Sequence, residues 1–214
     1  MKKSIIIFFV LILFSNVFAN ELDFKNITKI EMDVLRNDKI IGYSNYFFKH
    51  NKDTMIVENY TQFEIDLLGI KVFSIDSKSR EIYEKDKLLS FESKTLQNDK
   101  KKFVKLIYDK GIYIINGSSF VGEASQENII GNWWNAKILK TKTQISPLSG
   151  SVKKQEVKFV SEEKVEYKGK KIKLSKFKLK STEDLPDDKK LDFDIWLDSN
   201  KGIIFKVMYK RLGN

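Results

Sequence analysis

Apolar and polar side chains trade places at nearly every step along this chain, and that period of two restricts the fold more than any other feature. A β-strand points successive side chains to opposite faces, so alternation means a sheet with one face buried and one wet. Ile30, Met32 and Val34 alternate with Glu31 and Asp33, and Phe63 and Ile65 alternate with Gln62, Glu64 and Asp66. Turn chemistry punctuates the runs. Asn37-Asp38-Lys39 precedes a strand over Ile40 to Phe48, and His50-Asn51-Lys52-Asp53 precedes a third over Thr54 to Asp66. After Leu67-Leu68-Gly69, where Gly69 reads as a bend or bulge in a long curving strand, the pattern resumes over Ile70 to Glu84. Further strands are predicted over Leu88 to Leu96, Lys102 to Tyr108 and Gly111 to Ile115.

The stretch from Val152 to Leu179 predicts two more strands, joined at Tyr167-Lys168-Gly169-Lys170. In the second, Ile172 and Leu174 fall on even positions and Phe177 and Leu179 on odd ones, a slip that calls for a bulge near Ser175. The last hairpin sets Leu191, Phe193, Ile195 and Leu197 on one face and Asp192, Asp194, Trp196 and Asp198 on the other. It turns at Ser199-Asn200-Lys201-Gly202. With Gly202 left-handed in a three-residue loop with a bulge, Ile195 faces Val207, and an exposed Trp196 lies under the stem of Lys206. One segment breaks the alternation. Between Gln126 and Leu139, the residues Ile129, Ile130, Trp133, Trp134 and Ile138 recur at three to four residue spacing, predicting a short helix or irregular helical turn with Ser125 as N-cap. The expected fold is mainly β: a strongly curved antiparallel sheet or open β-barrel meander with one short helix, lipocalin-like or lipoprotein-carrier-like.

The N-terminus predicts where such a sheet works. Met1-Lys2-Lys3 is cationic, Ser4 to Phe14 is an almost wholly apolar run of eleven residues, and Val17-Phe18-Ala19 suits signal peptidase. A membrane-spanning helix needs about twenty apolar residues, so this reads as a leader over 1–19, cleaved after Ala19, and not as an anchor. The remaining 195 residues (214 − 19) suit one β-rich domain over 20–214. The short lysine-led signal looks bacterial, which points to a periplasm. The chain has no cysteine, so core burial and sheet hydrogen bonds must stabilise it without disulfides. Beyond Lys2 and Lys3 the charge is 37 − 29 = +8, with lysines dispersed along strands such as Lys171, Lys173 and Lys176. Scattered charge of this kind is an ordinary sheet exterior, and export disfavours nucleic acid.

Residues able to do chemistry are sparse. His50 is the single histidine and sits at a turn, which removes both a Ser-His-Asp arrangement and zinc sites built from His and Cys. Asp192, Asp194 and Asp198 share a strand face, but neighbours there are about 7 Å apart and cross-strand lysines such as Lys206 and Lys210 neutralise them, so no metal site is expected. Glu58, Glu64 and Asp66 lack an apolar pocket that would raise one carboxyl for glycosidase work. No glycine cluster forms a phosphate loop, and no cofactor is expected. The tandem Trp133-Trp134 either closes the core or lines a concavity for lipid tails or sugar faces. Arg80, inside an alternating run, is either a surface residue or a fork-shaped donor to a carboxylate or phosphate.

The order of several short motifs resembles the DUF6134 family of exported bacterial proteins of unknown function. These are Met32-Asp33-Val34-Leu35, Asp38-Lys39-Ile40-Ile41-Gly42, Val57-Glu58, Phe63-Glu64-Ile65, Leu68-Gly69-Ile70, the Arg80 to Tyr83 stretch, Asn132-Trp133-Trp134-Asn135, and Ile195-Trp196-Leu197-Asp198 before Gly202. The resemblance implies an exported β-rich domain and supplies no activity. From the residues themselves, the expected function is non-enzymatic: a periplasmic protein, not integral to the membrane, binding a lipid or other amphipathic ligand in the concave face of its sheet. Phe63, Ile65, Phe73, Trp133 and Trp134 are the expected lining, with Arg80 or a rim lysine at the headgroup. The alternative is an envelope protein-protein interaction or structural module that uses sheet edges and an exposed Trp196.

Overall fold

The computed structural model describes residues 24–186 and 189–209. The leader expected over 1–19, and Lys210, lie outside them. Eight strands form one antiparallel meander in sequence order: β1 (Lys29–Arg36), β2 (Lys39–Asn51), β3 (Thr54–Leu67), β4 (Ile70–Glu84), β5 (Lys87–Gln97), β6 (Lys100–Asp109), β7 (Ile112–Gly117) and β8 (Phe120–Ser125). The remaining strands are β9 (Ile129–Ile130), β10 (Thr143–Ile145), β11 (Val152–Tyr167), β12 (Lys170–Ser181), β13 (Asp192–Asp198) and β14 (Ile203–Tyr209). They form a six-stranded sheet in the order β14-β13-β12-β11-β10-β9, antiparallel except for the β9–β10 pair. Among the described residues neither sheet closes into a barrel.

Tight turns set the meander. At Asn37-Asp38, Leu68-Gly69, Lys85-Asp86, Lys110-Gly111 and Lys168-Gly169 both central residues have positive φ, the mirror-image turn whose twist matches that of paired strands. Leu68-Gly69 is therefore a hairpin turn between β3 and β4, and not the bend or bulge in a long curving strand that Gly69 suggested. Extra residues then bend the ladders: pairing passes from Val34↔Gly42 to Leu35↔Ile40, and from Ile65↔Phe73 to Asp66↔Lys71, leaving Ile41 and Val72 as bulges. Beside the first bulge, a Cβ on Gly42 would lie 2.0 Å from the Gln62 carbonyl oxygen, so glycine is what lets β2 approach β3 there.

Two adjoining apolar clusters fill the interior. One gathers Phe48, Val57, Phe91, Leu106, Ile115 and Trp134, and the other gathers Ile138, Leu179, Ile195, Leu197 and Ile204, with Met32 packed against both. The helix expected over 126–139 is instead a turn, the two-residue β9, a bend at the tryptophans and a short 3₁₀ turn, Ala136–Leu139. Its N-cap is Asn135, whose side chain accepts from Lys137 N at 3.0 Å. Ser125 caps the preceding turn, accepting from Glu127 N at 3.2 Å. The apolar spacing there reflects contacts with two different clusters and not one helical face.

Between β11 and β12 the extra residue is Val160 on β11, because Phe159 pairs with Phe177 and Ser161 with Lys176, while β12 runs unbroken past Ser175 against β13. The Ile195↔Val207 and Trp196↔Lys206 pairs form as the sequence predicts, but through a loop of four residues, 199–202, and not three, with the bulge at Phe205 between Leu197↔Ile204 and Trp196↔Lys206. Trp196 is only 6% exposed, however. Lys176 and Lys206 place their ammonium groups 4.7 and 4.9 Å from its ring, and its indole donates to Glu163 at 2.7 Å. The carboxylates of Asp192 and Asp194 are held by Lys178 at 2.5 and 2.9 Å, a different lysine from those anticipated.

Candidate functional site

The inner face of the eight-stranded sheet changes character along β2 to β5. Nearest the β4–β5 turn it is core: Tyr46, Phe48, Val57, Tyr83 and Phe91 are buried there. A band of hydroxyl groups follows, with Ser44 bonded to Thr61 and Ser77 to Thr95, both at 2.7 Å. Beyond that band, toward the β3–β4 turn, the same face becomes apolar again. Phe63 pairs with Ile75 and Ile65 with Phe73, which puts all four on one side, and the Phe63 and Phe73 rings stand 5.8 Å apart. Ile75 is buried, but Phe63, Ile65 and Phe73 are only half-buried.

The core end holds a polar cluster that sequence alternation passed over. Glu81, 1% exposed, accepts from Tyr83 at 2.5 Å through Oε2, and from Asn132 at 2.8 Å and Trp134 Nε1 at 3.0 Å through Oε1. Burial is the largest influence on this carboxyl and pushes it up to about 7, against the lowering effect of its three donors. Burial likewise pushes the Tyr46 hydroxyl up to about 12, where it accepts from Trp133 N at 3.3 Å. These bonds tether the Asn132 to Asn135 segment to β2 and β4. Trp134 stands edge-on to Phe24, Phe48 and Tyr83, with ring centroids at 4.9, 5.5 and 5.7 Å. The signal for Glu81 is its parity: it lies in phase with Phe73, Ile75 and Tyr83, where an acid must find donors or unfold the site.

The six residues expected to line a ligand are thus dispersed. Phe63, Ile65 and Phe73 come together at the open end of the inner face. Trp134 is in the core, 1% exposed, and Trp133 packs in the second cluster against Phe193 at 4.9 Å. Arg80 is exposed on the outer face, directly opposite Glu58 on β3 and Glu92 on β5, so it does not share a face with the aromatic patch. The two tryptophans close the core, as one of the two sequence readings has it.

Two clefts lie at the sheet margins. One, of about 390 Å³, is lined by Tyr43, Gln62, Glu64, Ser74 and Asp76, all on the outer face, with Phe63 and Ile75 also reaching it. The other, of about 400 Å³, is lined by Tyr83, Lys87, Tyr113, Asn128 and Asn135. It borders the Glu81 cluster, although Glu81 itself does not line it. His50 bonds the Ile27 carbonyl at 3.1 Å and lies at neither cleft.

Among solved structures the chain is similar to a β-barrel-like protein of domain of unknown function DUF1849 from Brucella abortus. The TM-score is 0.53 at 12% identity, covering 84% of this chain and 88% of that one, a likeness of fold alone. No curated protein matches the sequence. The model of a family defined by a domain of unknown function, DUF6134, matches residues 32–214, and the chain belongs to that family.

Proposed function

We propose that this is an exported, non-enzymatic envelope protein that binds the apolar part of a lipid or other amphipathic ligand at the open inner face of β3 and β4. One observation carries the reading: Phe63, Ile65 and Phe73 sit on the core-facing side of the sheet, yet the chain leaves them half-covered beyond a band of hydroxyls. Aromatic and branched side chains on a concave face are what an acyl chain or similar group packs against, and the hydroxyl band offers donors and acceptors to a polar neighbour. The binding region is displaced from the one expected on sequence, because Trp134 and its aromatic neighbours fill the deeper interior. A module that docks through an exposed Trp196 loses its main support, since that ring is buried between two lysines.

Native mass spectrometry of the protein isolated from the cells that make it tests the proposal. The expected spectrum shows a bound amphipathic molecule that is lost in Phe63→Asp, a substitution at a half-buried site. A native chain free of any such molecule, in buffers that preserve a known lipid carrier's cargo, would count against it.

A further inference from the structure

The tip of the β3–β4 hairpin is built against two ordinary rules at once. Leu68 stands at φ 52°, a left-handed conformation that asparagine or glycine adopts with less strain, and its side chain is wholly exposed at 103%. Three of the other turns of this type carry Asn37-Asp38, Lys85-Asp86 and Lys168-Gly169 at the same two positions, so the fold has polar solutions available. Neither backbone preference nor burial favours leucine here. Leu67, Ile70 and Val72 beside it are exposed as well, Ile70 at 68%.

The hairpin also projects. Ladder pairing of β3 with β2 ends at Phe63, and that of β4 with β5 ends at Ile75. Four residues of β3 and five of β4 therefore run on to the turn without a ladder partner in β2 or β5, about 13 Å or more at strand rise. Leu35 and Ile40 of the adjoining β1–β2 turn, at the same end of the sheet, are exposed too. Around this apolar point stand Arg36, Lys39, Lys71 and the run Lys100 to Lys102, six cations, against the five acids Asp38, Glu64, Asp66, Asp76 and Asp99. Glu64 is already engaged by Lys71 at 3.0 Å.

From this geometry we infer that the hairpin tip inserts into the interface of a phospholipid bilayer that bears anionic headgroups. A convex two-residue turn offers no groove to a folded partner, whereas a fluid apolar layer accepts a narrow wedge of Leu67, Leu68 and Ile70. The surrounding cation excess complements the headgroups. The inference goes beyond ligand binding and holds whether or not the Phe63–Phe73 patch carries a molecule.

Flotation of the purified protein with vesicles of phosphatidylglycerol and phosphatidylethanolamine tests it, with phosphatidylcholine vesicles alongside. Binding is expected to the anionic vesicles, weaker in high salt, and lowered about tenfold or more by Leu68→Asp combined with Ile70→Asp. Leu68→Asn should also weaken binding while leaving the thermal midpoint equal or higher, which separates membrane contact from folding. All variants keep the same N-terminus, so any contribution from a leader cancels. No flotation of the native chain would overturn the inference. So would flotation unchanged by the tip substitutions, or a dimer in sedimentation that the same substitutions dissolve. Native mass spectrometry of the same samples reads the ligand patch independently.

Discussion

The inner face of one sheet ends in two opposite ways. Around Glu81 and Trp134 the buried indole has three ring neighbours and each carboxylate oxygen has a donor. Around Phe63 and Phe73 the alternation of the strands continues but burial stops, and the hairpin runs on to a bare leucine. The first region is satisfied within the chain apart from Asn132 Oδ1, which is buried without a hydrogen-bond partner. The second has more apolar surface than the chain covers, and its surplus is where an outside apolar partner lowers the free energy most.

Removing the tryptophan should damage the core end most. Trp134→Ala deletes a fully buried indole, its three ring contacts and one of Glu81's donors, for an expected loss of about 3–5 kcal/mol in urea unfolding. A loss under about 1 kcal/mol would show that the segment is not part of the core.

The carboxyl should leave a mark on the pH dependence of stability. Because its folded value is raised from an ordinary 4.5 to about 7, the folded state keeps a proton that the unfolded chain releases. That contribution is fully present below pH 4.5 and is lost as pH rises through 7, about 3 kcal/mol in total at roughly 1.4 kcal/mol per unit. Glu81→Gln should flatten this slope. An unchanged slope would place the titration elsewhere.

The open end should respond more weakly. Phe73→Ala, at a half-buried position, is expected to cost about 1 kcal/mol, well below the roughly 3–5 kcal/mol for Phe91→Ala in the core. Equal losses at the two sites would erase the contrast between the regions. Smallest in size and opposite in sign is Leu68→Asn, which should stabilise the isolated protein by about 0.5–1 kcal/mol by relieving left-handed strain.

Much of this architecture was legible from local chemistry. The bounds of β4, the turn at Lys168-Gly169 and the Ile195↔Val207 and Trp196↔Lys206 pairs of the last hairpin follow from alternation and glycine placement alone. Leu68-Gly69 misled because a glycine between two alternating runs reads equally well as a bulge, and the anomaly of Leu68 is visible only once φ and exposure are known. The stretch around Trp133 and Trp134 misled because its spacing is helical, whereas its conformation is set by anchors far away in sequence: Glu81, Tyr46 and two separate clusters. Arg80 looked functional beside Phe73 in sequence, but parity places them on opposite faces. Three of the six anticipated lining residues, Phe63, Ile65 and Phe73, do converge, and they do so away from the tryptophans expected to accompany them.

Hydrogen-deuterium exchange with and without lysophosphatidylglycerol, an amphipath small enough to occupy the patch, tests most directly whether the open end is the contact site. New protection should be confined to residues 61–77, with the amides of 132–135 and of the β5 and β6 core unchanged. Protection centred on Trp134 and Glu81, or none at saturating ligand, would contradict the account.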